Sequence, residues 1–265
     1  MNPSLSVSIV VYELNEDLLR QTVISLLAAV EQASNIGLLK NCIITIVDNG
    51  ANDALDFIAK DLGVLIYRSN RNVGYGTAHN FAIKNADSDY HLILNPDVII
   101  EKHCITELLG LIQTHPETIA AGPLGVKPDG ESALLCKRYP SVLVLLLRGF
   151  PIKFFSRMFD SRLSYYEYQD LNPAVASDVE LLSGCFMLCD TSALKRLKGF
   201  DEQYFLYFED FDLSIRLSSL GKIKFLPRAR IVHFGGSASK KGAHQVFYFC
   251  RSALTFFRTH GWKWL

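Results

Sequence analysis

The sequence predicts an α/β fold built on a doubly wound, mostly parallel sheet. Three observations carry this. Strand and helix patterns alternate four times in the first hundred residues. The strand segments are near-continuous apolar runs, as in strands buried on both faces. Three of those strands end in polar turns: Tyr12-Glu13, Asp48-Asn49 and Asn95-Pro96-Asp97. With right-handed crossovers these turns fall on one sheet edge, where open α/β sheets bind ligands.

Each element has its own signal. Leu5 to Tyr12 (LSVSIVVY) is β-branched and apolar, a buried parallel strand. Leu18, Leu19, Val23, Leu26, Leu27 and Val30 recur at helical spacing. Cys42 to Val47 is the second strand, and a helical pattern follows through Leu55, Ile58, Ala59 and Leu62. Val64 to Tyr67 is the third strand. The polar loop from Ser69 to Gly76 then leads into a helix over Gly76 to Asn85. His91 to Leu94 is the fourth strand, which Pro96 ends by removing a backbone donor.

The second half is less regular. Ile119 to Pro123 reads as a strand, and Lys127 to Glu131 has turn chemistry around Asp129-Gly130. Val142 to Phe159 is apolar but broken by Arg148, Gly149, Pro151, Lys153 and Arg157. It reads as an amphipathic segment lying on a membrane surface, or as a packed helix pair split at Gly149-Phe150-Pro151. Asp160 to Ser177 reads as an aromatic-rich loop. Val179 to Asp190 reads as strand, turn, strand, and Thr191 as the cap of a short helix. Lys222 to Leu226 and Arg230 to Val232 read as two short strands. Gln245 to Arg258 is aromatic and basic at helical spacing, an apolar tail able to pair with a second copy or, with Val142 to Phe159, to help hold the chain at a membrane face.

Composition narrows the function classes. The 265 residues carry 27 basic and 27 acidic side chains, so no globally basic nucleic-acid binder is indicated. Six scattered cysteines form no Cys-x-x-Cys pair and suit a reducing compartment. No amino-terminal basic-then-apolar stretch and no long apolar run are present, so neither a signal peptide nor a conventional membrane span is expected. The default location is cytoplasmic.

The chemistry-bearing residues are few. Asp97 is a hard oxygen ligand at a central strand end, suited to magnesium or manganese with phosphates completing the shell. Glu209 and Asp210 are adjacent among Phe205, Tyr207, Phe208 and Phe211. An apolar wall pushes paired carboxylates apart in pKa, so that one works as a general base. His233, beside Gly235-Gly236, is a strand-end imidazole able to complete a metal shell. Gly74-Tyr75-Gly76 precedes a helix and is placed to receive phosphate oxygens, without being a Walker or full G-x-G-x-x-G motif.

Seven blocks then stand in order: VSIVVY at 7–12, IVDNG at 46–50, NRNVGYGTAHN at 70–80, LILNPDV at 92–98, LLSG at 181–184, GFDEQYFLYFEDFDLSIR at 199–216 and HFGGS at 233–237. In this order they resemble the family-two inverting glycosyltransferases of the GT-A fold, in their bacterial rhamnosyltransferase-like branch. The resemblance implies one domain over 1–265. Residues 1–125 would be a Rossmann-like nucleotide-sugar half, and 126–265 a smaller mixed acceptor half. It implies that Val11, Tyr12, Glu13, Asp48, Asn72, Gly74 and Asn95 line the donor site. It also implies that Asp97 and His233 hold the cation and that Asp210, beside Glu209, takes the acceptor proton. Two departures stand out: Asn95 replaces the first Asp of the commoner Asp-x-Asp motif, and Glu13 stands where many relatives carry Asn.

The expected reaction moves L-rhamnose from dTDP-rhamnose, or a hexose from a UDP-sugar, to a hydroxyl of a bacterial surface glycan. The acceptor would be a glycan or lipid-linked oligosaccharide at the inner face of the cell membrane. Two alternatives are a sugar-phosphate nucleotidyltransferase and a non-catalytic nucleotide-sugar-binding module. The first wants a glycine- and lysine-rich amino-terminal loop, and Tyr12 to Asp17 contains no Gly, Lys or Arg. The second would not need both Asp97 and Asp210.

Overall fold

The computed structural model describes residues 2–149, 159–172, 174–235 and 242–265. Its first half follows the predicted alternation: β1 (Ser4–Val11), α1 (Glu16–Asn35), β2 (Asn41–Asp48), α2 (Leu55–Leu62), β3 (Leu65–Arg68), α3 (Tyr75–Asn85), β4 (Tyr90–Leu94) and β5 (Val98–Ile100). Then come α4 (Cys104–Thr114), β6 (Thr118–Val126), β7 (Ser132–Leu134), β8 (Cys136–Lys137), α5 (Val142–Gly149) and α6 (Asp160–Tyr166). The chain continues through β9 (Ser177–Asp178), β10 (Leu181–Leu182), β11 (Phe186–Asp190), α7 (Thr191–Arg196), α8 (Glu209–Ser218), β12 (Lys222–His233) and α9 (Ala243–His260).

The main sheet runs β3-β2-β1-β4-β11-β6-β12-β5. Strands β1, β2, β3 and β4 are mutually parallel, so the three polar turns share one edge. Strand β11 runs antiparallel to β4 and β6. The sheet is covered on both faces, because alternate residues of a strand point opposite ways. Leu92 and Leu94 join the core made with α1 and α4. Ile93, between them, joins the one made with α3, α7 and α8.

Four sequence expectations are corrected. Asp160 to Tyr166 is helix rather than loop, because Tyr166 is buried and seats the turn. Lys222 to His233 is one strand, with an irregular register between Leu226 and Arg230 where the sequence suggested a break. Asp190, not Thr191, caps α7: its side chain accepts from the Ala193 amide at 2.8 Å. Helix α4, buried through Ile105, Leu108 and Leu109, lies where no element was assigned. Of the segment 142–159, α5 and Phe159 are described, and 150–158 lie outside the described residues. All six cysteines are free thiols.

Helix α9 is tied to α8 by a buried ionic group. Asp212 accepts from Arg216 Nε at 2.7 Å and lies 2.8 Å from His260 Nε2. Arg216 also donates to the Leu197 and Gly199 carbonyls at 3.2 and 2.9 Å. An aromatic cluster of Tyr204, Phe208, Phe256 and Phe257 fills the space above. Replacing Asp212 with alanine strands Arg216 and His260, and partial exposure of Arg216 softens the loss. We expect a fall of about 2 kcal/mol, read as a lower urea midpoint at unchanged slope. A loss under about 0.5 kcal/mol, that of an ordinary surface change, would mean that this group does not hold the helices together.

Candidate functional site

The corner that holds Asp97 and His233 is built by strand pairing. Residue His233 ends β12 opposite Val98 of antiparallel β5. Phe234 donates its amide to the Asp97 carbonyl at 3.1 Å, and Thr22 on α1 pins the turn by donating to the Pro96 carbonyl at 2.9 Å. This leaves Asp97 Oδ1 and His233 Nε2 facing each other at 3.4 Å. Both atoms are buried and without a hydrogen-bond partner among the described residues. Bare buried polar atoms are costly and rare. Two ligands about 2.1 Å from one ion, roughly at right angles, stand about 3 Å apart, so the pair fits a cation. The carboxylate oxygen suits magnesium or manganese, and the imidazole nitrogen favours the softer manganese of the two. Among the described residues no group of three or more His, Cys, Asp or Glu gathers around a common point.

The carboxylate pair opens helix α8. Asp210 accepts the Gly184 amide at 2.9 Å and its neighbour Phe211's amide at 2.9 Å. Burial raises its pKa, and these two N–H groups pull against that rise. Glu209 is more deeply buried, and its Oε2 has no partner among the described residues. Burial, then the Asp210 charge, pushes it well above the ordinary 4.5. Of the two carboxyls Glu209 is pushed up the further and holds a proton the more readily, while the two N–H groups favour the charged form of Asp210. The residues before them, Tyr207 and Phe208, both have left-handed backbones, with φ of 69° and 66°. Each costs on the order of 1 kcal/mol for a bulky side chain. Packing of Phe208 on Phe249 and Phe256 of α9 offsets that strain, as does the Ser252 hydroxyl donating to the Leu206 carbonyl at 2.8 Å.

Tyr75 joins the two halves of the site. Its hydroxyl lies 2.7 Å from the Gly184 carbonyl and 2.9 Å from the Asn95 side-chain oxygen. The Asn95 amide in turn donates to the Cys185 carbonyl at 2.9 Å. One phenol thus touches the turn that holds Asp210 and the turn that precedes Asp97. Cys185 lies between them; burial, with added effect from the Asp97 and Asp210 charges, pushes its thiol up to about 12.

The donor-side residues are placed less directly. The amides of Val73, Gly74 and Tyr75 are already taken, by Asn49 Oδ1, Asn72 Oδ1 and the Phe205 carbonyl. The glycine loop is therefore no open phosphate cradle here. Gly74 is needed because a Cβ there would stand 2.6 Å from the Phe205 carbonyl, at a φ of 92°. Asn72 closes its own turn. Asp48 is buried beside Val11 and accepts from Asn52, Gly50 and Arg68, the last at 2.6 Å. Tyr12 and Glu13 are exposed above it. Sequence reasoning missed Asn49, Arg68 and the hydroxyl of Tyr75. Asn49 stood beside Asp48 in a marked block, and Tyr75 between two marked glycines.

The raised Glu209 pKa has a stability consequence. The folded chain binds this proton more tightly than the unfolded chain does. Stability from this group is full below pH 4.5 and falls as pH climbs toward the raised value. Glu209→Gln removes that fall. The variant should gain on the parent in thermal stability as pH rises from 5 to 8, with little difference near pH 4. A pH-independent difference would show that Glu209 ionises normally.

Comparison with known proteins identifies the family and the fold. The sequence model described as Glycosyl transferase family 2 matches residues 6–197. The N-acetylglucosaminyl-diphospho-decaprenol L-rhamnosyltransferase of Mycobacterium tuberculosis (strain ATCC 25618 / H37Rv) is 30% identical over 204 residues, covering 72% of this chain and 66% of that protein. Rhamnosyltransferase WbbL of Escherichia coli (strain K12) is 27% identical over 204 residues, 72% of each chain. Among solved structures, GalNAc-T7 with UDP, GalNAc and Mn2+ superposes with a TM-score of 0.61 at 17% identity, over 88% of this chain and 43% of that one. S. aureus TarS 1-349 in complex with UDP-GlcNAc gives 0.60 at 16%, over 97% and 67%. The fold is the GT-A fold. With its ordered motifs, its sheet and a family match over most of its length, the chain belongs to glycosyl transferase family 2.

Proposed function

We propose that this chain is an inverting, metal-dependent glycosyltransferase. It moves a sugar, L-rhamnose from dTDP-rhamnose or a hexose from a UDP-sugar, to a hydroxyl of a bacterial envelope glycan. The observation that carries this is the pair of bare buried ligands, Asp97 and His233, joined through Asn95, Tyr75 and Gly184 to Asp210. The rhamnosyltransferase relatives support the donor, and the lipid-linked acceptor named for the mycobacterial one supports the acceptor class.

The acceptor hydroxyl gives its proton to Asp210 as its oxygen bonds to the anomeric carbon. The bond from that carbon to the diphosphate oxygen breaks on the opposite face, inverting the centre. A divalent cation held by Asp97 and His233 would offset the charge gathering on the departing diphosphate. Glu209, keeping its proton, leaves the base beside it able to accept another. Val11, Tyr12 and Glu13 wall the base pocket. Asp48 anchors that pocket from beneath through Arg68 and Asn52, and Asn72 and Gly74 hold its side loop. The two chain halves, 1–125 and 126–265, supply donor and acceptor sides of one domain.

Incubation with manganese and a panel of dTDP-, UDP- and GDP-sugars, read as donor binding and slow hydrolysis, tests the donor class. A preference outside dTDP- and UDP-sugars would overturn it. Asp210→Asn should keep donor affinity and lower transfer by about a thousandfold. The acid limb of the parent's pH–rate profile should lie above the ordinary aspartate value of 3.8. Transfer that survived this change would remove Asp210 from the base role. Asp97→Ala and a chelator should each weaken donor binding; affinity indifferent to both would refute the metal assignment.

A further inference from the structure

The charge of this chain is unevenly distributed. No Asp or Glu occurs after Asp212, while residues 213–265 contain ten Lys and Arg. The preceding 212 residues therefore hold 17 cations against 27 carboxylates. The basic end is also where apolar side chains are left in water. Trp262 and Trp264, the only two tryptophans, are 47% and 64% exposed.

The fold gathers these residues into one patch. The carbonyls of Lys263 and Trp264 accept the Val142 and Leu143 amides at 2.8 and 3.2 Å, capping the start of α5. Two segments far apart in sequence are thereby joined. Trp262 stacks on Phe257 and on Trp264, with ring centroids 5.2 Å apart in each case. Leu146 of α5 and Tyr165 of α6 are exposed in these joined segments. Between them lies a cavity of about 200 Å3 whose lining includes Arg162 and Lys263. Neither cation forms an ion pair among the described residues, although Asp160 opens the same helix as Arg162. Tyr166 lines the cavity too, and lies near enough to Asp210 to feel its charge.

We propose that this patch docks the protein on an anionic lipid bilayer, with Trp262 and Trp264 in the interfacial layer and Arg162 and Lys263 on headgroup phosphates. Exposed aromatics beside cations, with no Asp or Glu side chain in residues 213–265, match the two attractions a bilayer surface offers. No helix among the described residues is long and apolar enough to cross a membrane, so contact of this kind is at the surface. Its purpose rests on the glycosyltransferase reading: docking holds the Asp210 side of the site at the level of a lipid-linked acceptor.

The only two tryptophans lie in the patch, so their emission reports on it directly. The full chain is mixed with phosphatidylcholine vesicles, with or without phosphatidylglycerol. We expect a blue shift, and quenching by brominated acyl chains, with apparent affinity at least about tenfold higher for the anionic vesicles. The charge reversals Arg162→Glu and Lys263→Glu together should abolish that preference while donor hydrolysis in solution stays near the parent rate. They leave the backbone bonds to α5 intact. The proposal is overturned if the emission ignores anionic vesicles, or if the reversed variant binds them as well as the parent. It is equally overturned if inorganic pyrophosphate alone saturates the cavity and anionic vesicles bind no better than neutral ones. Lost donor hydrolysis with intact vesicle binding would count against the enzymatic reading and leave the docking surface standing.

Discussion

Strand β4 runs parallel to β1 on one side and antiparallel to β11 on the other, with Leu94 opposite Phe186. This change of direction determines the rest of the site. A parallel neighbour puts its carboxyl end beside that of β4, which brings the Val11 and Asp48 turns to Asp97. An antiparallel neighbour puts its amino end there, which brings in the Ser183-Gly184-Cys185 turn. Gly184 then has Asp210 on its amide and Tyr75 on its carbonyl. The same logic at β5 and β12 delivers His233. Residues more than a hundred positions apart meet because backbone ladders run in opposite senses across one strand.

That arrangement explains what the sequence could and could not disclose. The parallel half was legible, because strands buried on both faces announce themselves as apolar runs and their turns as breaks in them. The carboxylates and His233 were legible as chemistry standing at element ends. The direction of β11 was not, since a five-residue strand reads the same either way. Helix α4 carries a readable helical period, since Cys104, Ile105, Leu108, Leu109, Leu111 and Ile112 share one buried face opposite Thr106, Glu107 and Gln113. The second role of Gly74 and Gly76 was also hidden. They permit close contact with Phe205 and Phe200, and composition cannot separate close packing from phosphate binding.

The strained pair Tyr207 and Phe208 ties the basic tail to the turn that opens α8. A left-handed backbone at two bulky residues persists only where surroundings over-determine it. Helix α9 supplies those surroundings through Tyr248, Phe249, Ser252 and Phe256. The turn aims Glu209 and Asp210 into the site, and the helix that holds the turn also carries the exposed tryptophans at its end. Orientation of Asp210 and presentation of the basic, aromatic surface therefore depend on one packed element.

A second buried network supports Tyr75 from below, and its protons can be assigned. Ser88 donates to the Tyr90 carbonyl at 2.8 Å, so it accepts from Ser6, 2.7 Å away. Ser6 has then used its proton and accepts from His91 Nδ1 at 2.7 Å. Burial holds His91 neutral, with a pKa lowered to about 3, so its Nε2 is a bare acceptor for Ser8 at 2.8 Å. Ser8 in turn accepts from His79 Nδ1 at 2.7 Å. His79 Nε2 is left as a buried lone pair with no partner among the described residues, beside the Tyr75 and Phe200 rings at centroid distances of 4.5 and 5.8 Å. Every proton in the chain is assigned before it reaches the site. The network fixes α3, and with it the Tyr75 hydroxyl, without offering an acid to the chemistry.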